Sequence, residues 1–402
     1  MKLPKKEKES LLRKNNMKIP LSNLYLKGNE KKYVDRLLKN GKLSMGEFTE
    51  KFENIFKDYI GRKFALVVSS GTAGLFLLLK ASGIKDGDEI ITTPFSFIAS
   101  SNVILHSNAT PVFVDIDEKT FCISSILIEE KIKKDYRKKG KNIVNKKSGK
   151  ILKGVLSVDI LGNVCDYEKL EELCKEYNLT LFEDSSESLG SEINGKRSGI
   201  FGKGSVFAFY PNKQITTGEG GIILTDDEKL YSYIKALRNQ GRVEGDPNYI
   251  HRYLGYNFRV SDINSAIGFG QMEILDEILK KRNLVAKRYF KMLKDIDGIK
   301  LPSILKGQKN SWFLFYILVD PNIRDNFIDF LNRNGVSSKR YFYPIHLQPF
   351  YKTKFGYKRG DFPISEKISD QLVAIPFYTN MKYREQLYVY KKFKEFFERK
   401  SF

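Results

Sequence analysis

Short apolar segments alternate with amphipathic segments through the first half of the chain, and this alternation narrows the possible folds the most. The segment KFALVVSS is followed by GTAGLFLLLKAS, and further on GVLSVDI is followed by DYEKLEELCKEYN and LTLFEDSS. Strands that alternate with helices of this length indicate βαβ units, in which the strands pair in parallel. The sequence therefore predicts an α/β fold with a large, mainly parallel sheet, and ligands of such sheets bind at the carboxyl ends of the strands.

The pattern changes after Asn257, where long helical stretches replace the alternation. The segment SDINSAIGFGQMEILDEILKKRNLVAKRYFKMLKDI predicts one long helix with Ser261 or Asp262 as its N-cap. The apolar segment FLFYILV and the helical segments IRDNFIDFLNRNG and REQLYVYKKFKEFFERK then predict a compact α+β domain. A chain of 402 residues is long enough for two domains. We therefore expect a basic N-terminal tail (1–17), a large α/β domain (18–265) and a small C-terminal α+β domain (266–402).

The cysteines and the N-terminal segment bear on the cellular compartment. Cys122, Cys165 and Cys174 are odd in number and fit no metal spacing, which favours a reducing compartment and predicts no metal site. The N-terminal segment MKLPKKEKESLLRKNN is charged and no apolar stretch follows it, so it does not resemble a signal peptide. The most apolar segment, FALVVSSGTAGLFLLL, is too short and too interrupted to span a bilayer. We therefore expect a soluble, cytoplasmic protein.

The formal charge of +21 at pH 7 raises the question of an anionic partner. Lysines are spread along the whole chain and are densest in the segment KIKKDYRKKGKNIVNKKSGK, residues 131–150. No zinc-finger spacing or aromatic RNA-binding signature accompanies them, so a solvated basic surface is favoured over a nucleic-acid-binding surface. A third interpretation agrees with both observations, because a basic field attracts an anionic small substrate such as a nucleotide diphosphate.

Three strand ends carry candidate functional residues, and the first is Ser69-Ser70-Gly71-Thr72, where an apolar strand runs directly into a helix. The free backbone N–H groups and the dipole of a helix N-terminus suit such a junction to a phosphate. Glycine allows an anion to approach the backbone closely. An ordinary Ser/Thr N-cap is the alternative at this position.

Asp184 and Lys213 follow two further apolar strands. Asp184 ends the segment LTLFED, where a carboxylate would point into the crevice and would need a cationic or hydrogen-bonding partner; a turn or helix cap is the alternative. Lys213 lies between an aromatic run and a glycine-rich turn in FYPNKQITTGEGG. Most lysines are solvated surface residues, but an amine held among aromatic side chains can serve as a nucleophile, and this unusual setting favours that role.

A phosphate-binding helix end, a carboxylate and a reactive lysine at neighbouring strand ends are the parts that pyridoxal 5'-phosphate (PLP) requires. The lysine forms a Schiff base with the aldehyde, the carboxylate keeps the pyridine nitrogen protonated, and the helix N-terminus binds the phosphate. Phe97, in TTPFSFIAS, is a candidate to stack on the ring, and an ordinary core phenylalanine is the alternative.

With these residues, the sequence resembles the DegT/StrS-type family of PLP-dependent nucleotide-sugar aminotransferases. The resemblance extends over nearly the whole chain, and the matching segments stand in the family's order: SSGTAGL, DEIITTPFSFIAS, PVFVDID, EDSSESLG, FYPNKQITTGEGG, YNFRVSDINSAIGFGQ and IHLQPFY. It implies a fold-type I PLP-dependent enzyme, similar to aspartate aminotransferase, that forms a homodimer with active sites at the subunit interface.

The resemblance also implies roles for individual residues. Lys213 would be the lysine that bonds to the cofactor, and Asp184 would pair with the pyridine nitrogen. Asn257 would reach the phosphate from the neighbouring subunit. The implied cofactor contacts are Gly71, Thr72, Ala73, Phe97, Asp184, Glu187 and Asn257, and the implied substrate contacts are Arg259 and His346.

Two positions depart from the family's pattern. Ala208 stands five residues before Lys213, where the family often has a serine whose hydroxyl contacts the phosphate, so one hydrogen bond is expected to be missing. Glu187 stands where the family commonly has Gln or His, and such a carboxylate should be protonated or turned away from the cofactor's phenolic oxygen. A Glu here resembles the perosamine-synthase-like branches. The basic segment from Lys131 to Lys153 is longer than in many relatives, and no function follows from it.

The reaction that the resemblance implies is transfer of an amino group from an amino acid, L-glutamate, to the C4 keto group of a nucleotide-linked keto-deoxysugar. Such amino sugars are made for surface polysaccharides and glycans. A branch of the family with His in place of the lysine performs deoxygenation, so Lys213 favours transamination. The alternatives are a C3-ketosugar aminotransferase, a PLP-dependent sugar dehydratase of the same fold, and a non-catalytic regulator that binds nucleic acid.

Overall fold

The computed structural model describes residues 17–243, 245, 248 and 250–398 of the chain. Of the tail expected at 1–17, only Met17 lies within this part. The helices described are α1 (Glu30–Asn40), α2 (Glu47–Ile60), α3 (Gly71–Ala81), α4 (Ala99–His106), α5 (Ser125–Asp135), α6 (Tyr167–Glu176), α7 (Glu228–Arg238), α8 (Asp262–Met272), α9 (Leu275–Leu293), α10 (Pro321–Arg333), α11 (Pro349–Phe355), α12 (Pro363–Gln371) and α13 (Tyr383–Glu398). The strands described are β1 (Phe64–Val68), β2 (Asp88–Thr92), β3 (Thr110–Phe113), β4 (Tyr136–Lys139), β5 (Asn142–Asn145), β6 (Ile151–Val158), β7 (Thr180–Asp184), β8 (Glu192–Ile193), β9 (Lys196–Arg197), β10 (Gly204–Ala208), β11 (Gly221–Thr225), β12 (Ile299–Lys300), β13 (Gln308–Lys309), β14 (Phe315–Val319), β15 (Lys339–Arg340) and β16 (Leu372–Ile375).

The largest sheet in the described part of the chain has the strand order β1-β11-β10-β7-β6-β2-β3. The strands from β10 to β3 in this order are parallel to one another, and β11 runs antiparallel between β10 and β1. The β4–β5 hairpin is added to this sheet by pairing with β6. The prediction of an α/β fold with a large, mainly parallel sheet is therefore confirmed.

Both faces of this sheet are buried, which explains why a strand such as β1, FALVV, is apolar along its whole length. Along β10, Val206 packs on one face with Leu75 of α3, whereas the next residue, Phe207, packs on the other face with Phe56 of α2. Burying each of these side chains stabilises the fold by about 1.5–3 kcal/mol. Because both faces are covered, the ends of the strands are where a ligand can reach the sheet.

A second, antiparallel sheet lies in the C-terminal part of the chain, in the order β12-β14-β16-β15. Its hydrophobic cluster is distinct from those of the large sheet and is rich in aromatic side chains. Phe327 of α10 and Phe393 of α13, for example, have ring centroids 4.9 Å apart in an edge-to-face arrangement. The α+β character expected after the helical stretch is present.

The long helix expected from Ser261 onward is in fact two helices, α8 and α9, separated by Glu273 and Ile274. Ser261 is the N-cap, as one of the two expected alternatives had it, and its hydroxyl oxygen accepts a hydrogen bond from the N–H of Asn264 (3.3 Å). Helix α8 packs against α1 and α2, whereas α9 contributes to the C-terminal aromatic cluster. The chain turns between the two helices because they pack on different partners. The amphipathic pattern of the sequence shows that both segments are helical but does not show which elements they pack against.

The domain division expected between residues 265 and 266 falls inside α8. At the start of this helix, the carboxylate of Asp262 accepts hydrogen bonds from the N–H (2.7 Å) and the hydroxyl (2.8 Å) of Thr49 in α2. The helix is therefore held to the N-terminal half of the chain. The division stays a proposal, and the turn at Glu273 and Ile274 is the nearest break in secondary structure.

The basic segment from Lys131 to Lys153 includes the end of α5 and the β4–β5 hairpin, and most of the side chains in β4 face solvent. Lys146, just after β5, is also exposed, and its Nζ donates hydrogen bonds to the backbone carbonyls of Lys133 (3.1 Å) and Lys134 (2.7 Å). A cation at the C-terminal end of a helix is stabilised by the helix dipole. This lysine therefore has a local structural role.

Two further observations concern the compartment and the thiols. Among the described helices, none combines the length and the apolar character that crossing a bilayer requires. Cys122, Cys165 and Cys174 are buried and unpaired. Burial raises the pKa of the Cys174 thiol to about 12, so this side chain is held in its neutral form.

Candidate active site

The first turn of α3 follows closely on the carboxyl end of β1. Ser70 has an extended backbone, and its hydroxyl oxygen accepts a hydrogen bond from the N–H of Ala73 (3.1 Å), so Ser70 is the N-cap. Gly71 and Thr72 are the first two helical residues, and N–H groups at these positions have no acceptor within a helix. The N-cap and phosphate interpretations are therefore compatible, because capping uses the N–H of Ala73 and leaves the other two for an anion.

Gly71 lies where a side chain would not fit. A Cβ on Gly71 would be 2.7 Å from the Cβ of Ala208 at the end of β10, far closer than two carbon atoms normally approach. On the other side, a Cβ on Gly221 would be 2.6 Å from the backbone nitrogen of Gly71. The first turn of α3 is therefore packed directly against β10 and β11, which holds its free N–H groups beside the ends of these strands.

Asp184, the last residue of β7, is a buried carboxylate with neutral partners. One carboxylate oxygen accepts a hydrogen bond from the hydroxyl of Ser100 in α4 (2.7 Å), and the other accepts from the N–H of Ser186 (3.2 Å). No cationic side chain in the described residues pairs with it. A buried carboxylate of this kind gains most from a cationic donor, and a protonated pyridine nitrogen is such a donor.

Lys213 lies in the turn that follows β10, and its side chain is only 13% exposed. Its Nζ is 3.4 Å from a carboxylate oxygen of Glu187 and 4.2 Å from the centre of the Phe313 ring. The backbone N–H of Lys213 donates to the carbonyl of Tyr210 (2.9 Å), which closes the turn. The amine is thus held between a carboxylate and an aromatic face, and the aromatic ring comes from a distant segment and not from the aromatic run that precedes Lys213 in the sequence.

Glu187 is buried, and its carboxylate is turned toward Lys213. Burial raises the pKa of Glu187, and this effect outweighs the lowering caused by the charge of Lys213 and by the N–H of Leu161, which donates to the second carboxylate oxygen (3.0 Å). This shift favours the protonated form of Glu187 more than an exposed position would. The backbone carbonyl of Glu187 also accepts a hydrogen bond from the side chain of Gln214 (2.7 Å).

Comparison with known proteins shows the family to which the chain belongs. Residues 25–394 match the model of the DegT/DnrJ/EryC1/StrS aminotransferase family. The chain belongs to this family. GDP-perosamine synthase of Vibrio cholerae is 34% identical over 362 residues, which cover 89% of this chain and 93% of the relative.

Solved structures of family members have the same fold. Helicobacter pylori PseC, an aminotransferase involved in the biosynthesis of pseudoaminic acid, matches 95% of this chain and 100% of its own with a TM-score of 0.87 and 28% identity. The PLP form of Spr1654 from Streptococcus pneumoniae matches 95% of this chain and 99% of its own with a TM-score of 0.86 and 25% identity. The chain is therefore a PLP-dependent aminotransferase of fold type I, which decides against the non-catalytic alternative.

This aminotransferase has a further element at its lysine that sequence analysis missed, the turn at residues 310–313. The turn brings the ring of Phe313 to the amine of Lys213, and the hydroxyl oxygen of Ser311 accepts a hydrogen bond from Gln214 (2.8 Å), the neighbour of that lysine. About a hundred residues separate the turn from Lys213, so no local pattern could have joined them.

Arg282 of α9 binds the backbone of this turn through hydrogen bonds. Its guanidinium donates to the carbonyl of Trp312 from two nitrogens (2.9 and 2.7 Å) and to the carbonyl of Phe313 (2.8 Å). Arg282 is buried, and burial lowers the pKa of its guanidinium. In the described residues its hydrogen-bond partners are neutral, so its charge is used to fix the backbone of the turn.

Phe97, Asn257 and Arg259 lie at the surface of the chain or close to it. The Phe97 ring is 60% exposed, so the alternative of an ordinary core phenylalanine is wrong for this position. Asn257 is exposed, and Arg259 donates from its guanidinium to the side-chain oxygen of Asn239 (2.8 Å). Within the described part of one chain, neither Asn257 nor Arg259 contacts Lys213 or Asp184. Their assigned roles in cofactor and substrate binding stay predictions.

His346 does not reach an open crevice. Its side chain has no exposed surface, and its Nε2 lies 2.9 Å from a carboxylate oxygen of Glu366. Burial lowers the pKa of His346, and the nearby Glu366 opposes this shift without reversing it. The sequence predicts that this imidazole contacts the substrate, but in this arrangement the imidazole is covered by the protein itself. The neighbouring Ile345 donates its N–H to the carbonyl of Pro94 (2.8 Å), which links this segment to the strand end before Phe97.

Proposed function

We propose that this enzyme transfers the amino group of L-glutamate to the C4 keto group of a nucleotide-linked keto-deoxysugar. The observation that carries the proposal is the grouping of a buried lysine, a buried carboxylate without a cationic partner and the open first turn of a helix at neighbouring strand ends. The relatives named for perosamine and pseudoaminic acid support a sugar acceptor. The family resemblance supports position C4 over C3 and a role in surface polysaccharide synthesis.

Each of these residues has a binding task. PLP, when bound, supplies an aldehyde that condenses with amines and a ring that withdraws electrons from the attached carbon. The N–H groups of Gly71 and Thr72 would hold its phosphate, because they are free and lie at the positive end of the α3 dipole. Asp184 would accept a hydrogen bond from the ring nitrogen, and Phe97 would cover a face of the ring.

Lys213 has two tasks in the proposed reaction. It would bond to the cofactor through Nζ, and once it is displaced by the amino donor its Nζ would accept the proton that leaves the donor's α-carbon. Glu187 and Phe313 flank this nitrogen and limit the directions in which it can move. The same nitrogen would deliver a proton to the sugar carbon in the second half of the reaction.

We also propose that the active form is a cytoplasmic homodimer with shared sites. Leu254 is 90% exposed, and Ile250 and Tyr253 beside it are exposed as well, so an apolar patch lies next to Asn257. Apolar side chains that are exposed so close together in the sequence would be covered by an interface between subunits. A partner seated there would bring its Asn257 toward the phosphate end of the neighbouring site. The charge of +21 would favour approach of the anionic nucleotide sugar.

The first test is the visible absorption spectrum of the purified enzyme before and after addition of L-glutamate. A PLP band that L-glutamate bleaches would support the cofactor role and the donor together, and borohydride reduction should then attach the cofactor to Lys213. Lys213→Ala should lose the spectral response to L-glutamate and all turnover, whereas Lys203→Ala, at the exposed lysine directly before β10, should behave as wild type. Product analysis then separates amination from loss of a hydroxyl, and normal turnover by Lys213→Ala would overturn the assignment.

A further inference from the structure

The hydroxyl of Ser186 is an uncommitted hydrogen-bond donor beside the first turn of α3. A Cβ placed on Gly71 would lie 3.5 Å from this hydroxyl oxygen. Ser186 is partly exposed, and among the described residues its hydroxyl has no hydrogen-bond partner. The hydroxyl therefore lies close to Gly71, at the start of α3, and the described protein does not use it in a hydrogen bond.

Ala208 faces the same point and offers no donor. Its Cβ would lie 2.7 Å from the Cβ placed on Gly71, so the side chains of Ala208 and Ser186 both border the backbone of this glycine. Of these two side chains, that of Ser186 can donate a hydrogen bond and that of Ala208 cannot.

The position of Ser186 is fixed by its own backbone. Its N–H donates to a carboxylate oxygen of Asp184 (3.2 Å), and the other oxygen of that carboxylate is held by the hydroxyl of Ser100 (2.7 Å). A single residue thus joins the carboxylate at the end of β7 to the anion-binding end of α3. A donor held by buried neighbours loses little conformational freedom when it binds.

We propose that Ser186 is a phosphate-binding residue of this enzyme, whose hydroxyl donates to the phosphate of PLP next to the N–H groups of Gly71 and Thr72. The inference rests on the proposed placement of the cofactor at the start of α3. A hydrogen bond from a hydroxyl to a phosphate oxygen is charge-assisted and therefore stronger than one between neutral groups. Ser186 would then take over the contact that Ala208 cannot make.

The test compares PLP with pyridoxal, which has the same ring and aldehyde and no phosphate. In Ser186→Ala the dissociation constant for PLP, measured by absorbance titration of cofactor-free protein, should rise about 10- to 100-fold, as expected for loss of one hydrogen bond to a charged group. The dissociation constant for pyridoxal should stay unchanged. Ser82→Ala, at the other end of α3, should alter neither constant.

A second variant tests the geometry. Ala208→Ser in the Ser186→Ala background places a hydroxyl at the same point beside Gly71 and should restore most of the PLP affinity. Equal weakening for PLP and pyridoxal, or no change for either in Ser186→Ala, would overturn the inference, and so would failure of the second serine to restore binding. Failure of the wild-type protein to bind PLP at all would instead overturn the proposed function, so the two are distinguishable.

Discussion

Asp184 and Glu187 are buried carboxylates three residues apart, and their partners differ. Asp184 accepts hydrogen bonds from neutral donors, whereas Glu187 contacts the amine of Lys213. Burying a carboxylate without a cation costs free energy, so the setting of Asp184 suits a cation that arrives from outside the chain. Glu187 already has its cation. We therefore assign Asp184 to the cofactor and Glu187 to the lysine.

Asp184→Asn tests the first assignment. Asparagine has the same shape and can still accept a hydrogen bond from Ser100, but it carries no charge. A hydrogen bond to a charged group contributes about 1.5–3 kcal/mol, so kcat should fall about 10- to 100-fold. The free energy of unfolding should change little. Asp58→Asn, at an exposed position, is the control, and unchanged kinetics in Asp184→Asn would remove this residue from the site.

The pKa of Glu187 gives a prediction with a defined sign. Burial raises this pKa above the ordinary value of 4.5. The folded state then binds more protons than the unfolded state, so the folded protein loses stability as the pH rises from 4.5 through the raised pKa. Glutamine does not titrate, so Glu187→Gln should gain stability relative to wild type over this range. Urea unfolding of cofactor-free protein at a series of pH values measures the difference.

A matched variant, Glu277→Gln, should change stability in the opposite direction. Hydrogen bonds from Lys281 and Tyr25 lower the pKa of Glu277, which is exposed. Stability gained from such a carboxylate is present above the ordinary glutamate pKa and is lost as the pH falls, so Glu277→Gln should lose stability relative to wild type at neutral pH. A pH-independent difference for Glu187→Gln would show that its carboxyl titrates normally in the folded protein.

At the scale of elements, the turn at residues 310–313 contacts both α9 in the C-terminal half of the chain and Lys213 in the N-terminal half. Arg282 of α9 holds the carbonyls of Trp312 and Phe313, and the ring of Phe313 lies over the amine of Lys213. The backbone φ angle of Trp312 is 60°, which lies in the left-handed region. Residues other than glycine rarely adopt this conformation. The hydrogen bonds from Arg282 help to hold this unfavourable conformation.

Arg282→Met should therefore affect both stability and the site. Two buried carbonyls would lose their donors at about 1–3 kcal/mol each, so we expect the free energy of unfolding to fall by about 2–6 kcal/mol. Arg282→Lys should recover only part of this, because an ammonium cannot reproduce the planar fork. Lys287→Met, on the exposed side of the same helix, should be close to neutral. Equal unfolding free energies for Arg282→Met and Lys287→Met would contradict the role of the guanidinium.

The elements also show what could be predicted from the sequence. The junction at Gly71 and the strand ends at Asp184 and Lys213 were predictable, because apolar strands, glycines and caps are encoded by neighbouring residues. Phe313 was not, since its contact with Lys213 depends on packing between segments far apart in the chain. The turn between α8 and α9 was missed for the same reason, because both flanking segments are helical and only their packing partners differ.

At the scale of the whole molecule, the site of a single chain is open on one side. Thr72, Phe97 and Asn257 are all exposed in the described chain, although each is assigned to the cofactor. Of these residues, Asn257 is the one that the resemblance assigns to the site of the neighbouring subunit, so the proposed homodimer requires it to be accessible on its own chain. Two-fold symmetric dimers bury the same patch on both subunits, so each subunit would both receive and provide Asn257.

Mixing variants with impaired sites tests this shared arrangement. In a mixed dimer of Lys213→Ala and Asn257→Ala subunits, one site carries both changes and the other is intact. Random exchange of equal amounts should therefore restore about one quarter of wild-type activity. A mixture of Lys213→Ala and Asp184→Asn is the control, because those residues belong to the same chain's half of the site and no intact site can form. Activity restored by neither mixture would mean that each chain supplies its own Asn257, and the shared-site dimer would then be wrong.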